Sequence, residues 1–205
     1  MNWIIFFAIN NINYYVYKLE SRDSIIFKNV EKNNLSTIIV LEGMITLVKV
    51  FQNQETLPIA ILNRNHIINY KESNGAYYKI TALNNTYLIT LKENILYQNQ
   101  KIHCNKVNII DNYKNTLEKY EETLQILNQK NTTNKIILFI LFTFLRFGLI
   151  RKYKIIIPVE IRKEYIATMT GTSLYRVNKI LRKTNNINVD QKNQKTIFLL
   201  TIENL

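Results

Sequence analysis

Residues 163–183, KEYIATMTGTSLYRVNKILRK, decide how this chain is read. Ile166 and Ala167 fall on a first short helix, Gly171 makes a turn, and Val177, Ile180 and Leu181 form the inner face of a second helix. The small Ala167 lets the second helix pass close over the first. A glycine four residues later accepts turn geometry that a Cβ would resist. Thr172 or Ser173 is the residue type that caps a following helix. Two apolar-faced helices joined through a short glycine turn are helix-turn-helix logic. A generic helical hairpin shares the apolar faces, so the surroundings of the motif must decide between them.

Charge decides. The 205 residues hold 27 Lys+Arg and 15 Asp+Glu, a formal net charge of +12. From Asn131 to the end there are 13 basic and 4 acidic residues, net +9, which leaves +3 for the longer first part. Ile, Asn and Lys make up roughly 40% of the chain, far above ordinary usage. All three can be written with A/T-only codons, so the bias points to an AT-rich genome such as that of an organelle or endosymbiont. Codon bias alone would scatter lysines evenly. A concentrated basic third instead points to a polyanionic partner, with a solvated basic surface as the plain alternative.

Upstream, short runs rich in Ile, Val, Tyr and Thr predict strands at 14–19, 24–27, 37–41, 45–51, 57–62, 77–82 and 86–91. Polar turn residues separate them, and Gly43 stands where a tight turn would need positive φ. Many short strands at regular spacing predict a small β-barrel or sandwich. The pattern then changes period. Ile109, Tyr113, Leu117, Tyr120, Leu124 and Leu127 recur at intervals of four and three, one face of a helix. So narrow a seam fits a coiled-coil contact between two subunits; the alternative is packing against the chain's own barrel. Asn131, Thr132, Thr133 and Asn134 offer N-capping chemistry before a helix predicted over 135–147 and ending at Gly148. A strand-like 154–157, Pro158 and the helix-turn-helix follow. Beyond these, 187–189 and 196–200 flank a polar turn and read as a hairpin, with Lys192 and Lys195 able to touch phosphate.

With these pieces in order, the chain resembles the cyclic-AMP receptor/fumarate–nitrate regulator family of transcription factors, and within it the nitrogen regulators of cyanobacteria and red algal plastids. The resemblance rests on 38–51 (IIVLEGMITLVKVF), 134–149 and 165–181 (YIATMTGTSLYRVNKIL). It implies an α+β fold: an N-terminal cupin-like jelly-roll barrel of the cyclic-nucleotide-binding type (1–104), a long dimerisation helix (105–130) and a C-terminal winged helix-turn-helix (131–205). It further implies a homodimer that binds double-stranded promoter DNA and works with RNA polymerase, inside the plastid stroma. Ser173, Leu174, Tyr175, Asn178, Lys179, Arg182 and Lys183 take the DNA-facing positions, with Gly171 at the turn.

Departures from the family pattern sharpen the expectation. Leu174 stands where relatives place an arginine that would read guanine, and a leucine can only meet a thymine methyl or a sugar. Thr170 stands where an apolar residue is usual. DNA binding therefore carries over, while the target sequence does not. The effector segment 67–76 (IINYKESNGA) is short and lacks arginine, and the helix near Thr116 is not basic there. A buried carboxylate without a cation is costly. Were 2-oxoglutarate the effector, Lys71, Lys79 or Lys114 would have to hold it.

Other classes fit less well. One cysteine, with only His66 and His103, excludes iron–sulfur, haem and Cys-rich zinc sites. No nucleophile elbow, P-loop or dinucleotide fingerprint occurs, so the chain is not expected to be an enzyme or to carry a metal or resident cofactor. The apolar run 136–150 is about 15 residues, short of the roughly 20 that span a bilayer, and contains Arg146. Neither a secretory signal nor an Arg/Ser-rich leader is read at the start. The remaining alternative is an effector-independent or RNA-binding basic protein with a degenerate barrel.

Overall fold

The computed structural model describes residues 2–27, 36–70, 75–92, 106–151, 154–157, 159–184, 187–192 and 195–201. His103, Lys71 and Pro158, singled out above, lie outside them. The chain divides into two compact units, Met1–Tyr120 and Glu121–Leu205, with the boundary inside one long helix.

The first unit opens with α1 (Trp3–Ile9). The strands follow: β1 (Tyr15–Leu19), β2 (Ser24–Phe27), β3 (Ser36–Glu42), β4 (Met44–Val50), β5 (Thr56–Asn63), β6 (Ile67–Tyr70), β7 (Tyr77–Ala82) and β8 (Thr86–Lys92). Every strand predicted there forms, within a residue or so at each end. They build two antiparallel four-stranded sheets, β1-β8-β3-β6 and β2-β7-β4-β5, facing each other as an open jelly roll; no ladder closes them into a barrel among the described residues. Alternation explains the core. Ile38, Val40 and Leu88 from one sheet meet Ile45, Leu47, Leu62 and Ile80 from the other, each with almost no solvent exposure. Burying each such side chain contributes about 1.5–3 kcal/mol.

Two elements escaped the strand pattern. β6 was hidden inside the expected effector segment. The other, α1, stands where the sequence showed only an apolar start. Trp3, Phe6 and Phe7 recur at helical spacing and bury themselves with Ile39, Ile67, Ile89 and Leu91 on the outer face of the first sheet. The Asn2 side chain accepts the Ile5 amide proton as its N-cap, and the Trp3 Nε1–H donates to Asn65 Oδ1 at 3.2 Å.

The long helix α2 (Lys106–Leu127) divides the predicted seam. Ile109 is buried in the α1 cluster, and Tyr113 packs against that cluster while its hydroxyl donates to Asn69 Oδ1 at 3.1 Å. Tyr120 packs against the jelly-roll core, where burial, and secondarily the neighbouring Tyr78, pushes its hydroxyl pKa up to about 12. These three side chains serve the chain's own sheets, which corrects their assignment to a subunit seam. Leu117 and Leu124 are 58% and 55% exposed, as is Ile110 at 63%, so an apolar residue recurs every seventh position on the outward side.

The second unit continues with α3 (Thr132–Phe147), β9 (Leu149–Arg151), β10 (Lys154–Ile156), α4 (Lys163–Thr170), α5 (Leu174–Lys183), β11 (Ile187–Lys192) and β12 (Lys195–Thr201). Asn131 caps α3 by accepting from the Thr133 amide at 2.8 Å, and Gly148 ends it as the sequence predicts. The helix starts three residues earlier than expected because that cap precedes Thr132. The strands form one antiparallel sheet, β11-β12-β10-β9, which adds the unexpected β9 to the wing hairpin. Ile136, Phe139, Ile140 and Phe144 of α3, Ile166 and Met169 of α4, and Val177 and Leu181 of α5 are buried. Among the described residues no helix is long and apolar enough to cross a membrane.

Candidate nucleic-acid interface

The turn between α4 and α5 is built by the backbone. Gly171 takes the left-handed conformation, φ 59° and ψ 38°, and its N–H donates to the Thr168 carbonyl. The next amide, Thr172 N–H, reaches back to the Ala167 carbonyl at 2.9 Å. This pair of bonds is a Schellman closure, which satisfies the last carbonyls of α4 before the chain turns. A Cβ at Gly171 would meet only Leu127 Cδ2, at 3.7 Å, so the dihedral rather than space requires glycine. Of the two predicted caps, Ser173 is the one used, accepting from the Arg176 amide at 3.4 Å.

Thr170, the polar departure, is fully buried yet satisfied. Its hydroxyl donates to the Ile166 carbonyl at 2.6 Å and lies 2.8 Å from the Thr172 hydroxyl. A buried hydroxyl that finds a helix carbonyl avoids the desolvation cost that would otherwise rule it out.

The second helix has two unlike faces. Val177 and Leu181 are buried, while Ser173, Tyr175, Lys179, Arg182 and Lys183 are exposed, Leu174 is 40% exposed and Asn178 is half-buried. Four cations and no carboxylate occur in its ten residues. Arg182 and Lys183 sit in the last turn, where positive charge also favours the helix dipole. Arg176 is exposed as well, and its Nη1 donates to Thr132 Oγ1 at 3.1 Å, at the start of α3. The sequence carries no sign of that bond, because the partners are 44 residues apart. Arg146 on α3 pairs with Glu122, its Nε 2.8 Å from Oε1, which ties α3 to the end of α2.

No protein-family model matches the chain. Among solved structures, CprK in complex with OCPA superposes at TM-score 0.65 over 98% of this chain and 91% of that one, with 17% identity. FixK2 from Bradyrhizobium japonicum superposes at 0.64, with 13% identity over 92% of this chain and 93% of its own. A CRP/FNR-family transcriptional regulator from Thermus thermophilus superposes at 0.63, with 14% identity over 92% and 95%. This chain has the CRP/FNR fold. By sequence it is 23% identical over 194 residues to ycf28 of Porphyra purpurea, named as a candidate HTH-type transcriptional regulator, covering 88% of this chain and 76% of that protein. The relatives whose descriptions state a role are transcriptional regulators, not enzymes.

On the CRP/FNR fold the predicted DNA-facing residues come together on one helix and its cap, Ser173. Lys192 and Lys195 end the two strands of the wing, though their side chains lie outside the described residues. Thr116, in the helix region compared with the effector site, is engaged structurally. Its hydroxyl oxygen accepts from the Ile67 amide at 3.0 Å and its proton goes to the Asn112 carbonyl at 2.9 Å. Among the described residues no cluster of three or more His, Cys, Asp or Glu could hold a metal. One residue the sequence reading passed over is Lys119, buried three positions beyond Thr116. Its spacing from Thr116 and Thr123, both buried, was the available signal.

Proposed function

We propose that this protein is a homodimeric transcription regulator that binds duplex DNA through α5. The observation that carries the reading is α5 itself: an outer face of cations without carboxylates over a buried inner face, held at its entry by the Gly171 turn. Charge of this kind neutralises backbone phosphate, and a helix following such a turn fits the major groove. The dimer rests on Ile110, Leu117 and Leu124, exposed at heptad spacing on α2. Half-sites would then lie about one helical turn, ~10 bp, apart.

The finer reading is a nitrogen-regulator-type protein of a plastid, acting with RNA polymerase. The A/T-codon bias and the similarity to a red algal protein support the plastid. As for 2-oxoglutarate gating, Thr116 is committed to Ile67. Intact protein, with and without 2-oxoglutarate, tests the whole reading in a random-duplex selection joined to sedimentation. The expected result is a dimer near twice 24.4 kDa that retains near-palindromic duplexes. Leu117→Asp or Leu124→Asp should yield monomers that bind poorly. A wild-type monomer at micromolar concentration that still binds tightly refutes the two-fold model, and retention of single-stranded RNA over duplex DNA favours the alternative.

A further inference from the structure

The first turn of α5 presents an apolar edge on an otherwise cationic face. Leu174 and Tyr175 directly follow the capping Ser173 and are 40% and 73% exposed, so both present apolar surface to solvent, Tyr175 most of its side chain. Leucine has no hydrogen-bonding group. In the major groove the apolar feature on a base edge is the thymine C5-methyl. The arginine of this turn, Arg176, donates its Nη1 to Thr132 on α3, a bond that draws the guanidinium toward the start of that helix. Asn178 has the paired donor and acceptor that match adenine N6 and N7, and the exposed Lys179 is a point charge suited to a guanine. The lack of carboxylates on α5 removes the group that would accept from cytosine N4.

We infer that α5 reads thymine methyls through Leu174 and Tyr175, adenine through Asn178 and at most one guanine per half-site through Lys179, while Arg176 reads no base. This inference rests on the DNA-binding reading above and deepens it. It assigns an A·T-rich site to the protein from the chemistry of four side chains.

The test uses the full chain and the duplex it selects from a random pool. Each thymine of that duplex is replaced in turn by deoxyuridine, which removes only the methyl. Wild-type affinity should fall about fourfold at each thymine that is read, the factor that burial of one methyl-sized group corresponds to. Leu174→Ala and Tyr175→Ala should each erase that sensitivity at their own base step, and neither touches the buried Val177 and Leu181. Lys179→Ala should relax the single guanine position, whereas Arg176→Ala should leave base preference unchanged. Wild-type binding indifferent to every uridine, or a selected site demanding two guanines per half, overturns this assignment and leaves the DNA-binding reading standing. Failure to retain any duplex even at low salt overturns that reading itself.

Discussion

Gly43 and Gly171 both carry positive φ, +90° and +59°, but their surroundings differ. A Cβ at Gly43, between β3 and β4, would lie 2.6 Å from the Asn85 carbonyl oxygen and 2.7 Å from Thr86 Cα, both backbone. At Gly171 the nearest atom would be Leu127 Cδ2 at 3.7 Å. The jelly-roll turn is thus pinned by dihedral and by space, the helix-turn-helix by dihedral alone. Each turn also leans on a buried threonine. Thr86 donates across to the carbonyls of Met44 and Asn84, at 3.3 and 2.9 Å, while Thr170 donates back along its own helix. Turns between sheets bring distant backbones together, whereas a turn between two short helices needs only local closure.

The largest effect should come from Gly43→Ala, which adds a backbone clash to the ~1–2 kcal/mol of left-handed strain. Urea unfolding is expected to show a loss above about 3 kcal/mol, at the upper end for single substitutions. Gly171→Ala should cost only the strain, about 1–2 kcal/mol; equal losses at the two glycines would show that space does not distinguish them.

Gly171→Val comes next. A β-branched residue in this conformation costs roughly 1–3 kcal/mol, and the misaimed α5 should lose DNA binding in anisotropy assays while sedimentation still reports the dimer. Gly171→Asn should bind, since asparagine tolerates this conformation. Unimpaired binding by the valine variant would show that the turn does not aim α5.

The two threonines should separate less widely. Thr86→Val removes a fully buried hydroxyl that bridges the Met44 and Asn84 carbonyls, of which Met44 keeps the Leu83 amide, and should cost about 1–2 kcal/mol. Thr170→Val should cost about 1 kcal/mol or less, because the Ile166 carbonyl keeps its helical partner. Thermal denaturation of both variants ranks them, and the reverse order would undo the contrast between the turns. The smallest effect is expected at Lys183. Lys183→Ala should weaken all duplexes alike and reduce the slope of log affinity against log salt by about one.

Much of this was legible beforehand where the signal was local. Strands such as 24–27 and 77–82 declare themselves by composition and turn residues, and Gly171 and Ser173 by their place in the motif. Elements that form only against something else did not show. The start of the chain reads as an apolar stretch until the sheet supplies a face for Trp3, Phe6 and Phe7. β6 is four residues long and pairs β3 in a register that no local pattern specifies. In the candidate interface the sequence put the predicted DNA-facing residues on one helix and its cap and left Arg176 out, but the bond from Arg176 to Thr132, 44 residues away, shows only in the tertiary structure.

By itself, then, the sequence determined what depends on short range: the order of the strands and helices that carry their own pattern, the glycine turns, the capped helix ends and the concentration of positive charge. Tertiary structure alone decided how each helix face is spent. On α2, Ile109, Tyr113 and Tyr120 go to the chain's own sheets while Leu117 and Leu124 stay outward. A period of three and four is the same whether a helix buries its stripe against a sheet or a partner. Only the surface that arrives from elsewhere in the chain removes some of those side chains from water and leaves the others.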